Sequence, residues 1–186
     1  MNTKKQIIAA QRIIRRAAKQ WLGPSNYING AFVVDGIQYI TDLQVVFALS
    51  DHIEGLPMCD TFLCKSIATK FAAEYEKCRA YNTYTTSGEE LLYLLANNEI
   101  ERRGVRVIKL PLRDDKEIDP YDHDFVIRAY AYIQSRFIKD VLDILQIKRR
   151  DYVSVMFSQH DYNEPYKSGL IMHKDHRNKA LIMPVR

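Results

Sequence analysis

Three groups of residues carry side chains that could do chemistry. His160, Asp161, His173, Asp175 and His176 bring imidazoles and carboxylates close together in sequence, the donor types a divalent metal such as zinc takes. His173-x-x-His176 falls at a strand end and its turn, however, where two imidazoles need not converge, so no metal centre is expected. The second group is acidic. Arg113 to Asp124 holds six Asp or Glu residues, the donors of a two-metal nuclease, but such ligands sit on rigid elements and this stretch reads as a solvated loop. The third group is cationic. Lys4, Lys5, Arg12, Arg15, Arg16 and Lys19 crowd the start of a chain whose first 34 residues contain no Asp or Glu. At helical spacing Lys5, Arg12, Arg16 and Lys19 form one narrow stripe, with Ile7, Ala10, Ile14, Ala17 and Trp21 opposite. A row of cations on a rigid rod, without base-reading groups, is what sequence-independent contact with a phosphate backbone requires.

Other chemistries find less support. There is no Gly-rich phosphate loop, no GxSxG elbow and no Cys/His pairing at a diagnostic spacing, so no catalytic residue and no cofactor are expected; a metal-dependent nuclease using the residues near 160–176 is the enzyme alternative. Cys59, Cys64 and Cys78 are odd in number and lack CxxC spacing, which reads as buried or half-buried thiols in a reducing cytoplasm. Tyr81 and Tyr84 could stack on single-stranded bases, although most of the twelve tyrosines belong to core and rim. A net charge of +4 is modest, and no stretch approaches a membrane span, nor does a signal-peptide pattern appear.

The elements that must position these residues can be read in outline. Residues 3–20 form an amphipathic helix. Strands are expected at 31–34, 37–40 and 45–49, the first two joined by Asp35-Gly36, a two-residue hairpin signal. Residues 55–104 read as a helical insertion: Asp60 can cap a helix running to about Cys78, Tyr81 to Thr86 is a polar aromatic loop, and Ser87-Gly88-Glu89-Glu90 is a capping box ahead of Leu91. Residues 105–112 are a strand. From Phe125 the order is strand, helix, three strands. In the helix Phe137, Ile138, Val141, Leu142 and Leu145 make the apolar stripe, with Arg136, Lys139, Asp140 and Asp143 outside it. The last strand, 180–183, runs into Pro184-Val185-Arg186, an apolar end expected to be docked.

The segment Ile133-Gln134-Ser135-Arg136-Phe137-Ile138-Lys139-Asp140-Val141-Leu142 resembles the strand-to-helix segment of bacterial DNA sliding clamps, the beta subunits of DNA polymerase III. The ending Leu181-Ile182-Met183-Pro184-Val185-Arg186 is similar to that family's closing Met-Pro-Met-Arg-Leu. The match covers about a third of the chain. It implies an α+β fold, a single sliding-clamp-like domain over 1–186 made of two β-α-β-β-β units, with the two helices side by side on one face of a continuous antiparallel sheet. The strand before the first helix is missing, and residues 105–112 are the candidate to replace it.

What the resemblance implies about function is a non-catalytic, cytoplasmic protein of DNA replication or repair, a processivity factor or a protein that borrows the clamp's surfaces. Lys5, Arg12, Arg15, Arg16, Lys19, Arg136 and Lys139 would contact duplex DNA, and Met183, Pro184, Val185 and Arg186 would line a groove for short apolar peptides of replication or repair proteins. One domain where the family carries three implies either a homo-oligomeric ring of about six copies or a protein that does not encircle DNA. The competing expectation is a phage or mobile-element module that uses the clamp fold to bind replication proteins without binding DNA.

Overall fold

The computed structural model describes residues 3–20, 28–80, 82–102, 104–118, 125–157 and 170–183. Among these the chain is α+β, with four helices and antiparallel sheets. Helix α1 (Lys4–Ala18) starts where Thr3 Oγ1 accepts the N–H of Gln6 at 3.2 Å, satisfying one of the donors a helix start leaves orphaned. It buries Ala9, Ala10, Ile13, Ile14 and Ala17. Strands β1 (Phe32–Val34) and β2 (Ile37–Thr41) meet through Asp35-Gly36, both at positive φ (51° and 76°), the conformation a two-residue hairpin demands. Strand β3 (Val45–Leu49) pairs antiparallel with β2.

Residues 55–104 depart from a purely helical insertion. They hold α2 (Phe62–Ala80) and α3 (Gly88–Asn97), but the stretch expected as a loop is strand β4 (Asn82–Ser87), and β5 (Glu99–Arg102) follows α3. β4 adds to the edge of the main sheet through β8, with Asn82 opposite Phe157 and Ser87 opposite Tyr152. A Thr-rich stretch with Tyr84 suits a strand as well as a polar loop, and only a partner decides between them. Ser87 caps α3 as expected, its Oγ accepting from Glu90 N at 3.1 Å, and the Glu90 carboxylate turns back to accept from Thr86 Oγ1 at 2.6 Å.

Strand β6 (Val105–Ile118) extends into the segment expected as an acidic loop and pairs with β5 and with β7 (Phe125–Gln134). These three form a sheet of their own, so residues 105–112 do not complete the main sheet as its missing strand. Residues 119–124, like Trp21, Tyr81 and the segment holding His160 and Asp161, lie outside the described residues. Helix α4 (Ser135–Ile144) follows β7 directly, and its N-cap is Gln134 without a side-chain bond; Ser135, whose hydroxyl the sequence offers as a cap, is instead its first helical residue. Strands β8 (Tyr152–Phe157), β9 (Leu170–His173) and β10 (Asn178–Ile182) complete the chain.

The main sheet has the order β1-β2-β3-β10-β9-β8-β4. The last strand is therefore interior: β10 pairs with β3 on one side and β9 on the other, stitching residues 32–49 to residues 152–173. Side chains alternate between the two faces. Val45, Phe47 and Leu49 of β3 join Ala180 and Ile182 of β10 in the core shared with α1, α3 and α4. Ala48, Leu181, Ile171 and Met156 point the other way, to Cys64, Ile67, Phe71 and Cys78 of α2. All three cysteines are buried, as expected. No helix of the described residues is long and apolar enough to cross a membrane.

Candidate nucleic-acid interface

α1 and α4 lie against each other in antiparallel directions, α1 over β2 of the main sheet and α4 over β6 and β7 of the second. The amide of Gln6, near the start of α1, donates to the Ile144 carbonyl at the end of α4 at 2.9 Å, and Gln146 donates to Gln6 Oε1 at 2.6 Å. Toward the other end of α1, Arg16 sits 5.7 Å over the ring of Phe137. Both helices turn their apolar stripes inward, so their polar stripes form one outer surface.

The cations of that surface divide into two sets. Arg12 and Arg16 are claimed by carboxylates. Arg16 donates from Nε to Asp42 at 2.6 Å and from Nη2 to Asp140 at 2.5 Å, and its side chain is only 18% exposed. Arg12 donates to the other Asp140 oxygen from Nε at 3.0 Å and Nη2 at 2.5 Å, and reaches Asp143 at 3.5 Å. Asp140 and Asp42 are themselves buried. Burial lifts the Asp140 carboxyl above its ordinary range while the two guanidiniums pull it down. Asp42 also organises the β2–β3 turn, where its Oδ1 accepts from Gln44 N and Val45 N at 3.1 and 3.0 Å. The ridge is thus not unopposed, as the run of acid-free sequence had implied; its acids come from α4 and from a turn distant in the chain.

Lys5, Arg15 and Lys19 remain exposed on α1, and Lys4 beside them. On α4 Arg136 and Lys139 are exposed; Arg136 donates to Gln44 Oε1 at 2.9 Å and Lys139 lies 3.3 Å from Glu99. No carboxylate of either helix is exposed: Asp140 is buried and Asp143 half-buried. From Lys5 to Lys19 the helix rises about 21 Å, a length that follows about six base pairs of duplex.

The sequence misplaced Asp140, and a signal for it existed. The buried residues of α4 are Ser135, Phe137, Ile138, Asp140, Val141 and Ile144, so the buried stripe is rotated toward Ile144 relative to the expected one through Phe137, Ile138, Val141, Leu142 and Leu145. Residue 140 lies three positions after Phe137 and four before Ile144, inside that stripe. An Asp at such a position asks for a cationic partner, because an unpaired buried carboxylate is costly.

The remaining candidates are less assembled. The rings of His173 and His176 do converge, with centroids 4.1 Å apart, but His173 is buried with neither ring nitrogen hydrogen-bonded. Burial first, then His176 and Lys179, hold its pKa down at about 4. Among the described residues no group of three or more His, Cys, Asp or Glu could hold a metal ion. Met183 is 40% exposed, and its N–H donates to the Gln44 carbonyl at 2.9 Å; Pro184, Val185 and Arg186 lie outside the described residues. Fold and surface together define an α+β protein with a basic two-helix face. No protein-family model, curated protein or solved structure matches the chain.

Proposed function

We propose that this chain is a non-catalytic, clamp-like protein of DNA replication or repair that rests duplex DNA on the outer surface of α1 and α4. The observation that carries this reading is the charge of that surface: Lys4, Lys5, Arg12, Arg15, Lys19, Arg136 and Lys139 are exposed on two adjacent helices that expose no carboxylate. An exposed helical face kept soluble by charge normally mixes both signs. The side-by-side antiparallel helix pair supports the resemblance to sliding clamps, as does the strand order after α4, whereas β7 lies in the second sheet and departs from the single continuous sheet that the resemblance implies. α2, packed on the opposite face, departs from a bare two-unit clamp domain and leaves the α1–α4 side as the open one.

The DNA-facing residues divide by role. Lys5, Arg15 and Lys19 supply mobile charge to phosphates, and Arg136 and Lys139, held on one side by Gln44 and Glu99, add to it. Arg12 is shared between Asp140 and solvent, and Arg16 holds the helices in place. Binding by such a face is indifferent to sequence and driven by counterion release. The test is fluorescence anisotropy of labelled duplexes of unrelated sequence across a salt series. Lys5→Ala, Arg15→Ala and Lys19→Ala combined should weaken all duplexes alike and reduce the salt slope by roughly one unit for each phosphate that the protein no longer neutralises. Unchanged affinity and slope in a folded triple variant would refute the reading.

A further inference from the structure

A second feature of the same side of the molecule is not explained by phosphate binding. Between α1, α3 and α4 lies a groove of 740 Å³, within the range of about 300–1,000 Å³ usual for binding clefts. Its floor is aliphatic: Leu92 and Leu95 from α3, Leu142 from α4, and Ile147 just beyond it. Leu92 is 42% exposed, although α3 has a buried stripe, through Leu91 and Leu94, for its own packing. The rim is cationic, with Lys5, Arg12, Lys139 and Lys148 around it. The rim's carboxylate, Asp143, is already held by Arg12, and among the described residues Lys5 and Lys148 form no ion pair.

We propose that this groove is a docking site for an acidic amphipathic peptide helix, whose aliphatic face lies on Leu92, Leu95 and Leu142 and whose carboxylates meet Lys5 and Lys148. Charge complementarity selects the occupant. A rim with four cations and one already paired carboxylate disfavours a basic segment, and an apolar floor between three helices takes the anchor side chains of a helix at three- and four-residue spacing. Duplex DNA satisfies the rim but leaves the floor unused, because its bases are stacked inside and its phosphates gain nothing from leucine. Lys5, Arg12 and Lys139 also belong to the basic face, so a peptide in the groove and a duplex on the ridge would compete for them. The groove stands on its own residues, however, whether or not the duplex binds.

The experiment uses the full chain and a fluorescein-labelled peptide with Leu at helical three- and four-residue spacing and Glu elsewhere. Its controls are a scrambled version and one with Lys for every Glu. The acidic amphipathic peptide should bind at least about tenfold more tightly than either control, and Leu92→Asp and Lys148→Glu should each weaken it about tenfold. Both positions are exposed, so circular dichroism should show an unchanged fold. Leu92→Asp should leave duplex affinity unaltered, which separates this proposal from the phosphate face. Absence of binding, equal binding of the basic or scrambled peptide, unchanged affinity in both variants, or loss of duplex but not peptide binding in Leu92→Asp would each overturn it.

Discussion

Arg16 offers the sharpest separation between a cation that builds the surface and cations that serve it. Arg16→Ala strands two buried carboxylates at once: Asp42 keeps its two turn N–H groups and Asp140 keeps Arg12, but each is deprived of a charge partner at 2.5–2.6 Å. Removing one partner of a buried ion pair costs about 3–5 kcal/mol, and the residual exposure of Arg16 and the survival of Arg12 place this case near 3 kcal/mol. For a chain of this size that lowers Tm by about 6–12 °C. Arg15→Ala and Lys19→Ala, at exposed positions without a carboxylate partner among the described residues, should stay within about 0.5 kcal/mol of the parent. Arg16→Lys should fall between, since a single ammonium cannot span Asp42 and Asp140 as the planar guanidinium does. Chemical denaturation followed by circular dichroism, with the midpoints compared across the parent and these variants, is the assay. Equal midpoints for Arg16→Ala and Arg15→Ala would refute the division of the ridge into structural and free cations. It would also restore Arg16 to the phosphate-binding set.

The other expectations concern the sheet and a turn. His173 carries a pKa of about 4 in the fold against an ordinary 6.5, so the unfolded chain binds the extra proton between those values. Its contribution is fully present above pH 6.5 and disappears as pH falls toward 4, about 3 kcal/mol in all; urea midpoints measured across that window should fall in the parent and fall less steeply in His173→Phe, and parallel curves would refute it. Gly88 opens α3 with its N–H donating to the Asp151 carbonyl at 2.9 Å, and a Cβ there would collide with the Lys148 carbonyl. Gly88→Ala should therefore destabilise by about 1–3 kcal/mol or more, read as a lowered thermal midpoint, whereas an unchanged midpoint would mean that the 147–151 turn yields freely.

Periodicity and turn chemistry are local properties, and the sequence carried them. The acid-free amphipathic helix at α1, the Asp35-Gly36 hairpin, the cap at Ser87 and the strand–helix–three-strand order after residue 125 all follow from spacing over a few residues. Such spacing is dictated by the backbone itself. What it could not supply was pairing between distant segments. Residues 82–87 became β4 because the edge of β8 offers it hydrogen bonds; β6 joined β7 rather than the main sheet; and β10 settled between β3 and β9, although a closing strand reads equally well as an edge. The same holds for the surface chemistry. The count and spacing of cations on α1 are properties of its sequence, but which of them face solvent depends on Asp42 and Asp140, placed beside the helix by a turn and by a second helix far along the chain. The groove walled by α1, α3 and α4 likewise exists only once packing brings Leu92, Leu142 and Lys5 together. Charge and hydropathy are written residue by residue, whereas the partner of a buried carboxylate and the exposure of a leucine are settled by which surfaces the chain buries against each other.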